Sequence, residues 1–497
     1  MNPARTVILC IALVAVIVLA IHTPDFGSST YTVGGTLGGL SGTVVLQNNG
    51  QDDLSLTQNG GFVFDTPLAD GADYSVTIKT HPVDQTCNAT NDRGTIAGQN
   101  VTDIDVTCGS CGNDVGNGHE IIAGPDGPQG ADFDQVFRSL TVHPTDPNTV
   151  LMGTERNGFV VTNDGGHTWH RLRLGLRHTN SDTGVYPEIW DVVFDPANPA
   201  VIYAATLDSP GPVSGNYPSS IAGVYKSTDS GQTWVRVNCG LFNSRINSVQ
   251  VDGSNSLNVI IGMEGGAATF SPLQGQYFNG GIYRSDNGGQ SWSKVLIHEN
   301  DTENGYWRMV VYGPSHNYFM TFGLNYSNTS KNIGFIRSTD GGLTWEMFAG
   351  PLQFLFITGF DVSADGQVIY ANERDSYEIQ KSTNGGVTWD TTPINQANGP
   401  VAMSPADSQL VLYAGSSTLY RSTDGLDTYQ PVLAAQDKIN DIVFAPSTPT
   451  IVYVASTGYL LYKSTDAGAS FTLIKNIRSQ VLNPPPASTP VYHLLLF

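Results

Sequence analysis

The segment KSTDSGQTW, residues 226–234, sets hydroxyls and a carboxylate beside a glycine and in front of a tryptophan. A hydroxyl next to a carboxylate suggests an activated nucleophile, and a cluster of hard oxygens suggests a divalent-cation site. Both readings weaken because the pattern Ser/Thr, x, Asp/Asn, x, Gly, x, x, aromatic recurs. It is seen as TNDGGHTW, STDSGQTW, SDNGGQSW, STDGGLTW, STNGGVTW, STDGLDTY, with its glycine one place early, and STDAGASF. The third positions are Asp164, Asp229, Asn287, Asp340, Asn384, Asp424 and Asp466, at intervals of 65, 58, 53, 44, 40 and 42 residues. Catalysis needs a nucleophile and an acid converging in one cleft, whereas seven similar carboxylates spread along a repeat do not converge. None of the segments has the acidic ladder and distal glutamate of a helix-loop-helix calcium loop, and Asn replaces Asp twice. The box therefore reads as a turn element. Its Asp or Asn accepts backbone amides, its glycine permits a positive φ, and its aromatic residue packs between sheets.

The elements around each box read alike. An apolar strand (IWDVVFDP, INDIVFAP) is followed by a second (VIYAAT, IVYVAS), by a third ending in the box (GVYKS, LLYKS), and by a fourth opening after the aromatic (TWVRV, SFTLI). Four strands per interval is the size of a propeller blade with loop insertions, so seven boxes imply seven blades.

Composition agrees with an all-β chain. Of 497 residues only 13% are charged while 55 are glycine, which suits short strands and tight turns. The balance of 23 basic against 44 acidic residues gives a formal charge of −21. That repels phosphate backbones and argues against a nucleic-acid partner. Residues 1–29 hold Arg5 and an apolar run from Val7 to Ile21, read as a signal peptide or an N-terminal anchor, the only membrane attachment expected. Residues 31–108 alternate in short runs and read as a small β-sandwich, with Cys87 and Cys108 at the ends of two strand-like segments as the expected disulfide. The pairing of Cys111 and Cys239 stays open. Residues 109–130 read as a linker, 131–477 as the propeller, and 478–497 as extra strands or an incomplete blade.

The boxes identify the propeller as similar to the Asp-box propellers, also called BNR or sialidase-like, which include sialidases, xyloglucanase-type glycosidases, sortilin-type receptors and photosystem assembly factors. The stretch GTVVLQNNGQDDLSLTQNGGFVFDTPLADGADYSVTI with VTDIDVTC resembles an immunoglobulin-like module of bacterial surface proteins. The resemblances imply a seven-bladed Asp-box β-propeller after a small immunoglobulin-like sandwich, in a secreted or cell-envelope setting. They do not carry a catalytic set across. Of the sialidase Phe-Arg-Ile-Pro motif only Phe137 and Arg138 remain, in FRSL, and sialidase rings have six blades. Xyloglucanase-type enzymes place two carboxylates between two propellers, and this sequence has one. The expected function is a protein- or glycan-binding scaffold without catalysis, with a secreted glycoside hydrolase as the alternative; no cofactor or metal is called for.

Binding candidates come from two patterns. Insertions in blades two to four carry Tyr217, Tyr277 and Tyr326 among Ser, Asn and Gly, a mix that combines flat apolar area with adaptable hydrogen bonding. Aligned first strands place Trp190 and Trp307 in register with Arg138, Asn247, Thr358, Gly399 and Asn440, and Asp191, Arg308 and Asp441 one position further. These residues should ring the mouth of the central channel, either as a pocket or as blade core and solvated charges.

Overall fold

A computed structural model describes residues 29–474, apart from 83–84, 111–113, 116–136, 156–157, 178–185, 208–220, 242–244, 264–265, 268–276, 279–280, 296–304, 313–316, 325–333, 349–356, 374–376, 395 and 458–459. Every described regular element is a strand. The expected N-terminal signal or anchor and the C-terminal segment 478–497 lie outside the described residues.

The chain forms a sandwich followed by a seven-bladed β-propeller. In the sandwich, Gly60–Val63, Val33–Gly38, Val101–Ser110 and Gln85–Thr90 make one sheet, and Asp52–Leu56, Val44–Asn48, Asp73–Thr80 and Arg93–Thr95 the other. Alternation along Val44–Asn48 buries Val44, Leu46 and Asn48, and these strands enclose a core with Phe62, Phe64, Ile104 and Val106. Cys87 and Cys108 stand directly opposite on antiparallel strands and are disulfide-bonded.

The seven blades begin with the innermost strands Phe137–Val142, Glu188–Phe194, Ile246–Asp252, Gly305–Tyr312, Ile357–Val362, Val401–Ser404 and Ile439–Phe444, each followed by three antiparallel strands. The second strands explain the continuous apolar runs. Ile202–Leu207 and Val452–Ser456 are buried along their whole length, because neighbouring sheets cover both faces and alternation has no solvent side to serve. Each innermost strand touches the next, and the first touches the seventh. That last junction shares no strand; it is built from Val142, Met152 and Val160 packed on Tyr453, Ala455 and Leu461, and from Tyr453 Oη donating to the Pro147 carbonyl.

The boxes sit between third and fourth strands. In blade two, the Ser227 hydroxyl donates to Asp229 Oδ1 (2.8 Å) and accepts from the Gly231 amide (2.8 Å), while the Thr233 amide and hydroxyl both donate to the Asp229 carboxylate. Asn287 and Asn384 keep the same turn with one bond reversed. Their side-chain amides donate to Ser291 Oγ and Thr388 Oγ1 instead of accepting. Hydroxyl donors from Thr428 and Ser470 come first among the bonds that hold Asp424 and Asp466 down at about 2. The following aromatic reaches the preceding blade: Trp234 stacks on Phe159 at 4.2 Å and Trp389 on Phe335 at 5.1 Å.

A second periodic device lies one residue before the box. Lys226, Arg284, Lys381 and Arg421 donate to the carbonyls of Gly288, Gly341, Gly425 and Ala467, the fourth box position of the next blade, at 2.8, 3.1, 2.8 and 2.9 Å. The box is thus a turn within its own blade and an anchor point for the neighbour's cation.

Candidate functional site

The register expected to ring the channel falls on backbone irregularities of the innermost strands. The innermost strands shift register between Phe137 and Ser139, Ile189 and Asp191, Ile246 and Ser248, Ile357 and Gly359, and Ile439 and Asp441. Each shift leaves one extra residue: Arg138, Trp190, Asn247, Thr358 and Asn440. A bulge kinks the strand and re-aims the side chain of the residue it adds. One residue per blade, in five blades, is therefore set apart from the regular ladder at the same level. Blade four has no such shift, and Trp307 pairs with Phe322 in an unbroken ladder. Gly399 precedes the first strand of blade six.

Trp190 is 39% exposed, in contrast to the fully buried box residue Trp234. In the next blade, Asn247 is half-buried, and its Oδ1 is buried without a hydrogen-bond partner among the described residues. Asp191 and Asp441 are half-buried and reach across blade boundaries: Asp191 Oδ2 accepts from the Val249 amide at 3.0 Å, and Asp441 Oδ2 from the Leu140 amide at 3.0 Å. Asp361 does the same for the Met403 amide at 2.8 Å. Each of these carboxylates thereby ties its innermost strand to that of the next blade.

The remaining candidates are less fully placed. Arg138 lies at a bulge, Trp307 and Arg308 in the strand Gly305–Tyr312, and Tyr277 in the short strand Tyr277–Phe278, which forms a hairpin with Gly266–Ala267. The side chains of these four lie outside the described ones. Tyr217 and Tyr326 lie outside the described residues altogether.

Two features of this end of the ring were not singled out from the sequence. Tyr377, in the connection between the second and third strands of blade five, is 47% exposed and holds a φ of 60°, a left-handed conformation that costs a non-glycine residue about 1–2 kcal/mol. Around blades one and two, Glu188, Arg173 and Arg236 are buried, and the Arg173 guanidinium lies 4.8 Å from the centre of the Tyr186 ring. Burial, and next the charge of Arg236, pull the pKa of Arg177 down. Neither feature has a spacing signature: Tyr377 needs its φ, and the buried charges come from separate segments. Among the described residues no group of three or more His, Cys, Asp and Glu side chains is placed to hold a metal ion.

Comparison with known proteins places the fold. No protein-family model matches the chain. It is 31% identical over 147 residues to a xyloglucanase of Hypocrea jecorina, covering 29% of this chain and 17% of that protein. It is 28% identical over 141 residues to a xyloglucanase of Acetivibrio thermocellus, covering 23% and 16%. The matches thus span less than a fifth of the length of these curated relatives. Among solved structures, an ancestral GH74 enzyme superposes with a TM-score of 0.50 at 17% identity, over 71% of this chain and 47% of that one. YCF48 from Cyanidioschyzon merolae gives 0.48 at 17% identity, over 67% and 97%. The chain is a β-propeller protein, similar in fold to the GH74 enzyme.

Proposed function

We propose that this is an exported bacterial protein whose propeller binds a glycan or an extracellular protein segment at the channel mouth, without cleaving it. The observation that carries the reading is Trp190: a large aromatic side chain on a strand bulge, more than a third exposed where blade core would bury it. Exposed aromatic rings provide flat apolar area for sugar faces and side chains alike. Two carboxylates of the same register support binding over hydrolysis, since Asp191 in blade two and Asp441 in blade seven each hold a backbone amide of the next blade. The Cys87–Cys108 disulfide supports an oxidising compartment.

The second reading, a secreted glycoside hydrolase, is favoured by the stretch matched to the xyloglucanases. One experiment separates the two. The full chain is applied to an array of plant and microbial glycans and extracellular proteins, and the same glycans are assayed for new reducing ends. The proposal expects retention without release; release of reducing ends from any bound glycan supports the hydrolase, and no retention on either class refutes the binding scaffold.

A further inference from the structure

The boxes lie at the end of the strands opposite the bulges, where they are bonded to the first turn of their own blade. The Gly288 amide donates to the Leu257 carbonyl and the Gly385 amide to the Gln367 carbonyl, both at 2.9 Å. The three most exposed large apolar side chains among the described residues all fall at this end, in consecutive blades: Leu257 at 55% in blade three, Leu343 at 60% in blade four and Val387 at 62% in blade five. Leu343 and Val387 take the sixth box position, which elsewhere holds His167, Gln232, Gln290, Asp427 and Ala469. What the blade-four turn takes from that residue is its amide, which donates to Asp340 Oδ1 at 3.1 Å. The fold therefore gives no reason for an apolar side chain there, and leaving one in water forgoes the gain of burying it.

Single exposed apolar residues are ordinary on a protein surface, but contacts between blades join these three into an arc. Leu257 Cδ2 lies 3.6 Å from where a Cβ on Gly288 would stand, which sets it on the blade-three box. Arg284, one residue before that box, donates from Nε to the carbonyl of Gly341, two residues before Leu343, at 3.1 Å. Arg337, one residue before the blade-four box, brings Nη1 to 3.4 Å from where a Cβ would stand on Gly385, two residues before Val387. The exposed charge around the arc has one sign. Asp286, Asp340, Asp365, Asp407 and Asp427, in the boxes and first turns of blades three to six, are exposed, whereas Arg284, Arg337, Lys381 and Arg421 are half-buried. Arg284, Lys381 and Arg421 donate to carbonyls of the next blade, and Arg337 Nη2 lies 3.1 Å from Glu346 Oε2.

We propose that this face docks a basic, amphipathic segment of another protein, with apolar side chains laid on Leu257, Leu343 and Val387 and lysines or arginines against the surrounding carboxylates. Charge selects the occupant. A second copy of the chain brings the same formal charge of −21 and the same acidic rim, and anionic lipid headgroups are repelled by that rim, whereas a cationic segment is drawn in. The site stands at the opposite end of the strands from Trp190, so it is independent of the binding proposed at the mouth.

The test is selection of a displayed library of random peptides on the native full chain, with affinities of the enriched peptides then measured on Leu343→Gln/Val387→Gln, on Asp286→Asn/Asp427→Asn and on Trp190→Ala. Gln stands at the sixth box position in blades two and three, so the first variant keeps a side chain this turn already carries, and circular dichroism confirms its fold. The proposal expects enriched peptides that combine Leu, Ile or Val with Lys or Arg. They should bind at least tenfold more weakly to the first variant, at least threefold more weakly and with a flatter salt dependence to the second, and unchanged to Trp190→Ala. No enrichment, enrichment of acidic or wholly polar peptides, or equal affinity for the native chain and the first variant overturns it. So does binding of phosphatidylglycerol vesicles, or a dimer of the native chain in sedimentation, that is lost in the first variant, since each assigns the face to a different occupant.

Discussion

Trp234 and Trp292 occupy the same box position in neighbouring blades and are both fully buried, but their indole nitrogens differ. Trp292 Nε1 donates to the Val237 carbonyl at 2.7 Å, whereas Trp234 Nε1 is buried with no acceptor among the described residues. Replacing each by Phe removes the same volume, so the cavity cost, about 1–3 kcal/mol for a truncation of this size, is common to both. Trp234→Phe keeps an aromatic ring facing Phe159, 4.2 Å away in the native stack, and discards an unsatisfied N–H. Trp292→Phe instead strands the Val237 carbonyl, whose residue is buried, at an added cost of about 1–3 kcal/mol. Guanidinium unfolding at pH 7, followed by far-ultraviolet circular dichroism because indole fluorescence changes with each variant, should show Trp292→Phe as the less stable by at least about 1 kcal/mol. Equal destabilisation, or the reverse order, would refute the assignment of distinct roles to the two rings.

Two further outcomes follow from backbone strain and buried charge. Ala467 occupies the fourth position of the last box with a φ of 56°, where five of the other boxes have glycine (Gly165, Gly288, Gly341, Gly385 and Gly425). Ala467→Gly should therefore stabilise the protein by about 0.5–1 kcal/mol, since the carbonyl that receives Arg421 is retained; a drop in the unfolding midpoint would count against it. Burial lowers the His81 pKa from 6.5 to about 4, and its neutral Nδ1 accepts from the Cys87 amide at 3.0 Å. Above pH 6.5 both folded and unfolded states hold the ring neutral. As pH falls from 6.5 to 4 only the unfolded state takes up the proton, so the sandwich should lose about 3 kcal/mol over that window. The box carboxylates of Asp424 and Asp466, held down at about 2, contribute stability that is lost only below their ordinary value of 3.8. Hydrogen exchange against pH should show the sandwich loosening before the propeller, with His81→Gln removing the first step; simultaneous loosening would contradict both assignments.

The fold was legible because it repeats. Seven boxes at blade-sized intervals count the sheets, and the runs of the second strands, such as VIYAAT, show burial on two faces. The Cys87–Cys108 bond followed from two strand ends that happen to be opposed. The cation before the box was visible at Lys226, Arg284, Arg337, Lys381, Arg421 and Lys463, six times in seven, but the carbonyls that receive Lys226, Arg284, Lys381 and Arg421 lie in the next blade, and no spacing within one repeat reveals them. At the mouth, aligning the first strands put Arg138, Trp190, Asn247, Thr358 and Asn440 in one register. That each is an inserted residue is a property of strand pairing, which the sequence does not display. Tyr377 was missed for the same reason, since its left-handed backbone leaves no mark on composition. The loop tyrosines Tyr217 and Tyr326 came from composition alone, in segments with no periodicity to place them.

The most direct test of binding at the mouth is a titration of native protein and Trp190→Ala with xyloglucan oligosaccharides and with any other glycan or protein retained on the array, with reducing ends followed in the same samples. The account predicts binding by the native chain, affinity at least about 30-fold weaker in a folded Trp190→Ala, as for an aromatic anchor worth about 2 kcal/mol, and no new reducing ends. Unchanged affinity in the variant, or reducing ends released by the native protein, would contradict it.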